Sequence, residues 1–473
     1  MSKLKITEKL SYGLGEIGSS IVWQGMMFYL GYFYTDVFVI PPQAAAFLMF
    51  LPKFLDALID PVVGTIADRT NTRWGKFRPY ILWFFIPYSV FMILMFATPN
   101  WGHTGKMLYA YATYMLMMII YSLIMTPYNA LGGVITDDHK ERTSLQSYRF
   151  FMAFFGGFIL RIATNPLVSY FGGGMDAGNH PVNPQRGFLL TFTVFAVLSA
   201  ICFFLTFHFT RERIKPVAKE KSSLKDDLKD LTHNRPWIVL FIASTLNLVY
   251  VGVFGTAMKY YFDYYVIPKT VNIFGWNVWG LDVMSVFNGY SSIVIMIILL
   301  LPVSKWLAGR FGKRNTLIAC YTLVAIAISG WYFCKPDQVG LIMFFQFIQS
   351  VAAAPTMPLT WSMYADAADY SEWKNGRRAT GLIYSAVVLG QKAGIALGGA
   401  IPLWILASVN YNPSAVTHSP EELHGIRLSM GLIPGFIALL TGMMFFFYNL
   451  SNKQMDTIQA ELAERRKQQE LKE

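Results

Sequence analysis

Residues 51–80 read LPKFLDALIDPVVGTIADRTNTRWGKFRPY, an apolar run that carries Lys53, Asp56 and Asp60 and ends in a basic, glycine-bearing turn. A shorter version of that ending, KWLAGRFGKRNTL, returns at residues 305–317. DDHKERT at 137–143 and DYSEWKNGRRAT at 369–380 form a second such pair, each mixing acids and bases after an apolar stretch. Two related sets of membrane-crossing segments are the plan of a rocking transporter that binds its substrate between the repeats near the bilayer midplane.

Composition points the same way. Of 473 residues, 54% are hydrophobic, 16% aromatic and only 14% charged, with a mean hydropathy of +0.40, against roughly 25% charged residues in an average soluble chain. The apolar residues fall into blocks long enough for about 20 helical residues each. Spans are predicted near 11–38, 43–67, 80–98, 107–130, 146–170 and 187–209. A second set follows near 237–265, 283–308, 316–334, 339–365, 379–408 and 425–450. The expected fold is therefore all-α, with twelve transmembrane helices in two six-helix halves. These are 1–210 and 237–450, joined by a polar loop at 211–236 and followed by a tail at 451–473.

The formal charge of +11 is spread over short loops between spans, not gathered on one face, so a nucleic-acid partner is not expected. Arg69, Arg73, Lys76 and Arg78 follow span 2, and Lys140 and Arg142 follow span 4. The central loop, the turns after spans 8 and 10, and the tail add the rest, while the opposite loops hold only Lys106, Arg186, Lys269 and Lys335. The positive-inside rule then places both termini and the central loop in the cytoplasm of a multi-pass inner-membrane protein. Cys202, Cys320 and Cys334 have no CxxC or metal-ligand spacing. GxSxG, GxxxxGK[ST] and HExxH are absent, so no enzyme is expected. No cofactor is expected either, beyond a coupling ion for transport.

Ionisable residues inside spans are costly and therefore informative. Lys53, Asp56 and Asp60 fall within a stripe about 60° wide on one helix, and Pro61 frees the carbonyl of Ala57 one turn back. Two carboxylates beside an unpaired carbonyl suit a small hard cation or a shared proton. A structural ion pair of Lys53 with one aspartate is the plainer alternative. Lys392 sits among small residues in GQKAGIALGGA, where a lone ammonium needs an acid or a polar ligand. Arg149 opens span 5 with a fork that binds paired hydroxyls or a carboxylate, or snorkels to the interface. Arg161 and Lys259 are compatible with an outer mouth.

On span 1, Tyr12, Glu16, Ser19 and Trp23 form a stripe with Ser20 and Gln24 at its edge. An acid, hydroxyls and an indole on one face match a sugar, whose hydroxyls take hydrogen bonds and whose C–H face takes an aromatic plate. Helix packing with an interfacial aromatic belt is the alternative. Span 4 adds Tyr121, Ser122, Thr126 and Asn129 around Pro127. Span 10 adds Gln346, Gln349, Thr356, Thr360 and Trp361 around Pro355 and Pro358, which predicts a broken helix.

Taken with ADAADYSEWKNGRRATG, KLSYGLGEIG, YFYTDV, PYNALGGVIT and QKAG, all in family order, the chain resembles the glycoside-pentoside-hexuronide:cation symporters, the melibiose permease group of the major facilitator fold. The resemblance implies cation binding by Asp56 and Asp60 with Tyr121 and Ser122. It implies a sugar site lined by Arg149 and Lys392, with Lys392 bridging the sugar and cation regions, and gate partners at Asp366 and Asp369 for basic loops bearing Arg73 and Arg142. Melibiose permeases carry a Lys-Asp pair at Ser19-Ser20, an aspartate at Met125 and a tryptophan at Asn129. Those departures argue against galactosides. They leave Glu16, Ser20 and Asn129 as polar candidates, and Trp23 or Trp361 as the plate. With Arg149, Lys392, Lys53 and Arg161 nearby, an anionic uronide enters consideration. The function expected is cation-coupled import, with Na⁺ or H⁺, of a glycoside, pentoside or hexuronide. A multidrug or lipid transporter of the same fold and a non-transporting sugar sensor are the alternatives.

Overall fold

The structure is a computed structural model that describes residues 4–136, 139–175, 181–213, 234–267, 270–273, 276–300, 303–375, 380–413, 415 and 417–470. Helices dominate: α1 (Ile6–Phe28), α2 (Pro42–Arg69), α3 (Arg78–Met95), α4 (His103–Leu131), α5 (His139–Phe171), α6 (Pro184–Phe209) and α7 (Arg235–Tyr260). A two-stranded antiparallel ribbon, β1 (Thr270–Ile273) and β2 (Trp276–Asp282), follows with Thr270 opposite Asp282. Then come α8 (Val283–Leu300), α9 (Val303–Phe311), α10 (Lys313–Phe333), α11 (Val339–Ala353), α12 (Thr356–Asn375), α13 (Thr380–Ser408), α14 (Pro420–Met430), α15 (Leu432–Met444) and α16 (Asn452–Glu470). The ribbon lies in a stretch whose apolar residues sequence reading left between two spans.

Among the described residues, nine helical stretches are long and apolar enough to cross a membrane, and 283–298 makes a shorter apolar helix. At 23 and 28 residues α1 and α2 have the length to cross as well. Length and hydropathy alone thus stop short of the expected twelve. The break predicted in span 10 is present, between Ala353 and Thr356. Most of the expected central loop, 214–233, lies outside the described residues.

The chain forms two compact units. The first comprises 1–218, 255–292 and 399–426; the second comprises 219–254, 293–398 and 427–473. In the first, α1 packs on α5 and α6, and α4 on α2 and α3. On α2, Phe54, Leu58, Val62 and Ile66 recur every four residues as exposed apolar side chains, while Lys53 and Asp56 on the opposite side are buried. That division is what a helix between lipid and a polar interior requires. In the second unit, α10 packs on α15 and α11, and α16 lies along α12, where the Trp373 indole donates to Glu461 at 2.6 Å.

The RTNTRWGKFRP turn is a helix cap. Glu212, beyond the end of α6, accepts the backbone N–H groups of Lys76, Phe77 and Arg78 at 2.8–2.9 Å, satisfying donors that α3 cannot pair internally. The carboxylate reaches them because Gly75 has φ +111° and no side chain; a Cβ there would lie 2.4 Å from the Glu212 Cδ. Nearby, Arg213 forks onto Glu8 at 2.8 Å through both Nη atoms, a hydrogen bond that raises its pKa above the ordinary guanidinium value. Gly75→Val is expected to destabilise the protein by about 1–3 kcal/mol, and Glu212→Gln by about 1 kcal/mol. Thermal unfolding in detergent checks the order; equal stability of Gly75→Val and wild type would contradict the cap.

Candidate functional site

All of the expected cation residues lie in the first unit, and α2 and α4 bring three of the four together. The Ser122 hydroxyl is in hydrogen-bond contact with Asp56 and donates toward Asp60 Oδ1 at 2.6 Å. Thr126, one turn further along α4, donates to the same oxygen at 3.0 Å. A serine hydroxyl has one proton to donate. Two carboxylates brought together at one hydroxyl suit a shared proton or a small cation that takes oxygen ligands. Tyr121 is placed differently from the expectation. Its hydroxyl pairs with Ser19 at 3.1 Å, and its ring lies 5.5 Å from Trp23 and 6.3 Å from Tyr88, so it belongs to the face of α1.

Lys53 is 3% exposed. Its Nζ lies beside Gly399, 3.6 Å from the point a Cβ there would occupy, with Thr256 Oγ1 3.7 Å from that point. Among the described residues no carboxylate stands within ion-pair distance of it, so the alternative of a Lys53–aspartate pair is not realised.

The sugar candidates of the first unit form a second group. Arg149 Nε donates to Glu16 Oε2 at 2.7 Å and Nη2 to Asn129 Oδ1 at 2.6 Å. The guanidinium also stands 5.3 Å from the Tyr128 ring, which stacks on Tyr12 at 4.8 Å. Glu16 of α1, Asn129 of α4 and Arg149 of α5 thus form a charge-compensated cluster. Trp23 stands half-buried beside Tyr121, an available plate. Ser20 is buried against Gly156 of α5 and serves packing.

In the second unit, Trp361 is 37% exposed and lies edge-on to Tyr364 at 5.6 Å. It lines a cavity of about 340 Å³ with Asn247, Tyr250, Thr360, Tyr364 and Gln391, within the range of small-molecule sites. The Tyr364 hydroxyl contacts Ser244 and accepts from Gln391 at 3.4 Å, and Tyr321 donates to Asn247 at 3.0 Å. Sequence reading passed over Asn247, Tyr364 and Gln391. Asn247 interrupts an apolar span and Gln391 precedes Lys392, and those were the available signals. Lys392 is half-buried on α13 in this unit.

Of the expected gate residues, Asp366 pairs with Lys313 at 2.6 Å, Asp369 is half-buried on α12, and Arg73 is exposed with its guanidinium 4.3 Å over Trp74. The Arg142 side chain lies outside the described residues.

A profile of MFS/sugar transport proteins matches residues 11–452. The chain is similar to the inner membrane symporter YicJ of Escherichia coli (strain K12), 34% identical with 99% of this chain and 97% of that one covered. It is similar also to the isoprimeverose transporter of Lactiplantibacillus pentosus, 31% identical with 94% and 88% covered. Among solved structures, a bacterial homolog of the human lysosomal transporter Spinster superposes with a TM-score of 0.64 at 13% identity, covering 94% of this chain and 95% of that one. That likeness concerns the fold alone.

Proposed function

The chain belongs to the MFS/sugar transport family, as a multi-pass sugar symporter-type protein of the major facilitator superfamily and not an enzyme, and on that premise we propose cation-coupled import of a glycoside, pentoside or hexuronide by alternating access. The observation that carries the coupling is the meeting of Asp56 and Asp60 at Ser122. A cation or proton there ties α2 to α4. On α4, Tyr121 and Asn129 face the α1 and α5 groups that offer themselves to a sugar. Binding at either place then favours the other by the same factor, as linkage demands.

In this reading Na⁺ or H⁺ is held by Asp56, Asp60 and Ser122. Glu16, Asn129, Arg149, Trp23, Trp361 and Lys392 meet the sugar, while Arg73, Arg142, Asp366 and Asp369 act in gating. The protein sits in an inner membrane with both termini cytoplasmic, its two six-helix halves at 1–210 and 237–450. The polar groups on α1, α4, α12 and α13 favour a hydroxyl-rich substrate over a lipid or a drug.

Uptake by inside-negative membrane vesicles tests the proposal. A xyloside, a glucoside, a galactoside and a glucuronide are offered with and without an imposed Na⁺ gradient at fixed pH, then with a pH gradient. Accumulation of one of them only under one gradient is the expected result and assigns the cation. Absence of accumulation for all four under both would overturn symport of these sugars.

A further inference from the structure

Arg161 lies near the middle of the apolar stretch 148–171, where a charge is expensive unless it faces a polar interior. Two glycines bring its helix against α1. A Cβ on Gly156 would meet Ile17 Cα at 2.9 Å, and one on Gly157 would overlap the Gln24 amide, at 1.9 Å from Nε2. The Gln24 side chain therefore occupies the space where Gly157 lacks a side chain. One turn on, its Oε1 accepts from Arg161 Nε at 2.7 Å. The guanidinium stands over the Phe28 ring at 4.5 Å. Both contacts hold the inner edge and one face of the guanidinium, and leave the terminal fork to something else.

Among the described residues of the first unit, no carboxylate neutralises that fork. Glu16 is engaged by Arg149, and Asp56 and Asp60 meet at Ser122. Asp263 pairs with Lys259 at 2.8 Å. Asp282 accepts from Asn165 at 2.6 Å and from the Ser285 N–H at 3.1 Å. Asp36 takes the Tyr411 hydroxyl at 2.5 Å and contacts Tyr264. Among the described residues, Arg161 has no carboxylate within ion-pair distance, and its hydrogen bonding is confined to Nε. Arg149, by contrast, has its charge compensated and its fork divided between Glu16 and Asn129.

We propose that Arg161 is a specificity-determining residue whose free fork binds a carboxylate of the substrate, so that the sugar carried is an acid, a hexuronide in place of the neutral glycoside. The assignment rests on the sugar-transport reading above. It separates two roles that the four bases Arg149, Lys392, Lys53 and Arg161 left merged: Arg149 with Glu16 and Asn129 orients hydroxyls, and Arg161 selects charge. A guanidinium fork matches a carboxylate in two parallel hydrogen bonds. Gln24 and Phe28 fix that fork in advance, which lowers the ordering cost of binding.

Equilibrium binding by the purified full-length chain in detergent, with no gradient, tests this. The probes are p-nitrophenyl β-glucuronide and p-nitrophenyl β-glucoside, which differ only in carboxylate against hydroxymethyl at C6. The wild type is expected to bind the glucuronide more tightly by about tenfold or more, the scale of a charge-assisted hydrogen bond. Arg161→Gln removes that preference and leaves glucoside binding within about threefold, and Arg161→Lys, which keeps the charge without the fork, retains part of it. Equal or tighter glucoside binding by the wild type, or no binding of either probe, overturns the assignment even if the variants fail to fold. Carboxylate-selective binding without cation-driven accumulation would overturn the symport reading and leave Arg161's role standing.

Discussion

Asp56→Asn is expected to abolish uphill accumulation of the sugar while downhill exchange of sugar persists. The carboxylate is 1% exposed and shares Ser122 with Asp60. An amide of the same shape keeps the packing and offers one oxygen to the hydroxyl. It removes the charge that binds a cation and the group that takes a proton, so the site loses the electrostatic reason to prefer a loaded state. Coupling free energies between sites are typically about 1–3 kcal/mol, or about 5–150-fold in affinity. The cation's enhancement of sugar binding is expected to fall from that range to none. Comparing sugar affinity with and without cation in the variant measures it directly, and counterflow shows that the carrier still turns over. Ser122→Ala should act in the same direction and less severely, because the two acids remain. Undiminished accumulation by Asp56→Asn would remove Asp56 from the coupling site.

The second large effect is expected at Glu16. Its carboxylate balances Arg149 in surroundings where the two side chains are 16% and 18% exposed, and Glu16→Gln leaves a guanidinium without its counter-charge. Breaking one side of such a pair costs about 3–5 kcal/mol in a dry interior, with the lower end applying to a site that water reaches. The variant should therefore unfold at lower temperature and bind sugar poorly. The double variant Glu16→Gln, Arg149→Gln carries no stranded charge. It should regain most of the stability without regaining binding, because neither the fork toward Asn129 nor the acid remains. A double variant as unstable as the single one would show that the pair acts through packing rather than charge.

The family resemblance and the midspan stripe of Lys53, Asp56 and Asp60 were both legible without coordinates, because burying an ionisable group in a bilayer is costly enough to be visible one residue at a time. Helix ends and the break before Thr356 followed from prolines and loop charge. Less legible was the partner of each group. Tyr121 and Ser122 are neighbours on α4, yet successive helix positions point about 100° apart. One faces Ser19 and Trp23, and the other faces the two aspartates. Lys53 gained no aspartate although two lie within two turns, and the buried group beside it is Gly399.

The sequence by itself determined an all-helical membrane transporter of the sugar-symporter kind, the helix that carries the acids and the candidates for a cation and a sugar. Those conclusions rest on the cost of taking charge and backbone out of water, which acts locally along the chain. Only the tertiary structure decided which charges cancel. It paired Glu16 with Arg149, joined Asp56 and Asp60 through Ser122, and used Gly157 to seat Gln24 against Arg161. Compensation depends on distances of a few ångströms between side chains 62 to 137 residues apart, and no periodicity within one helix encodes them.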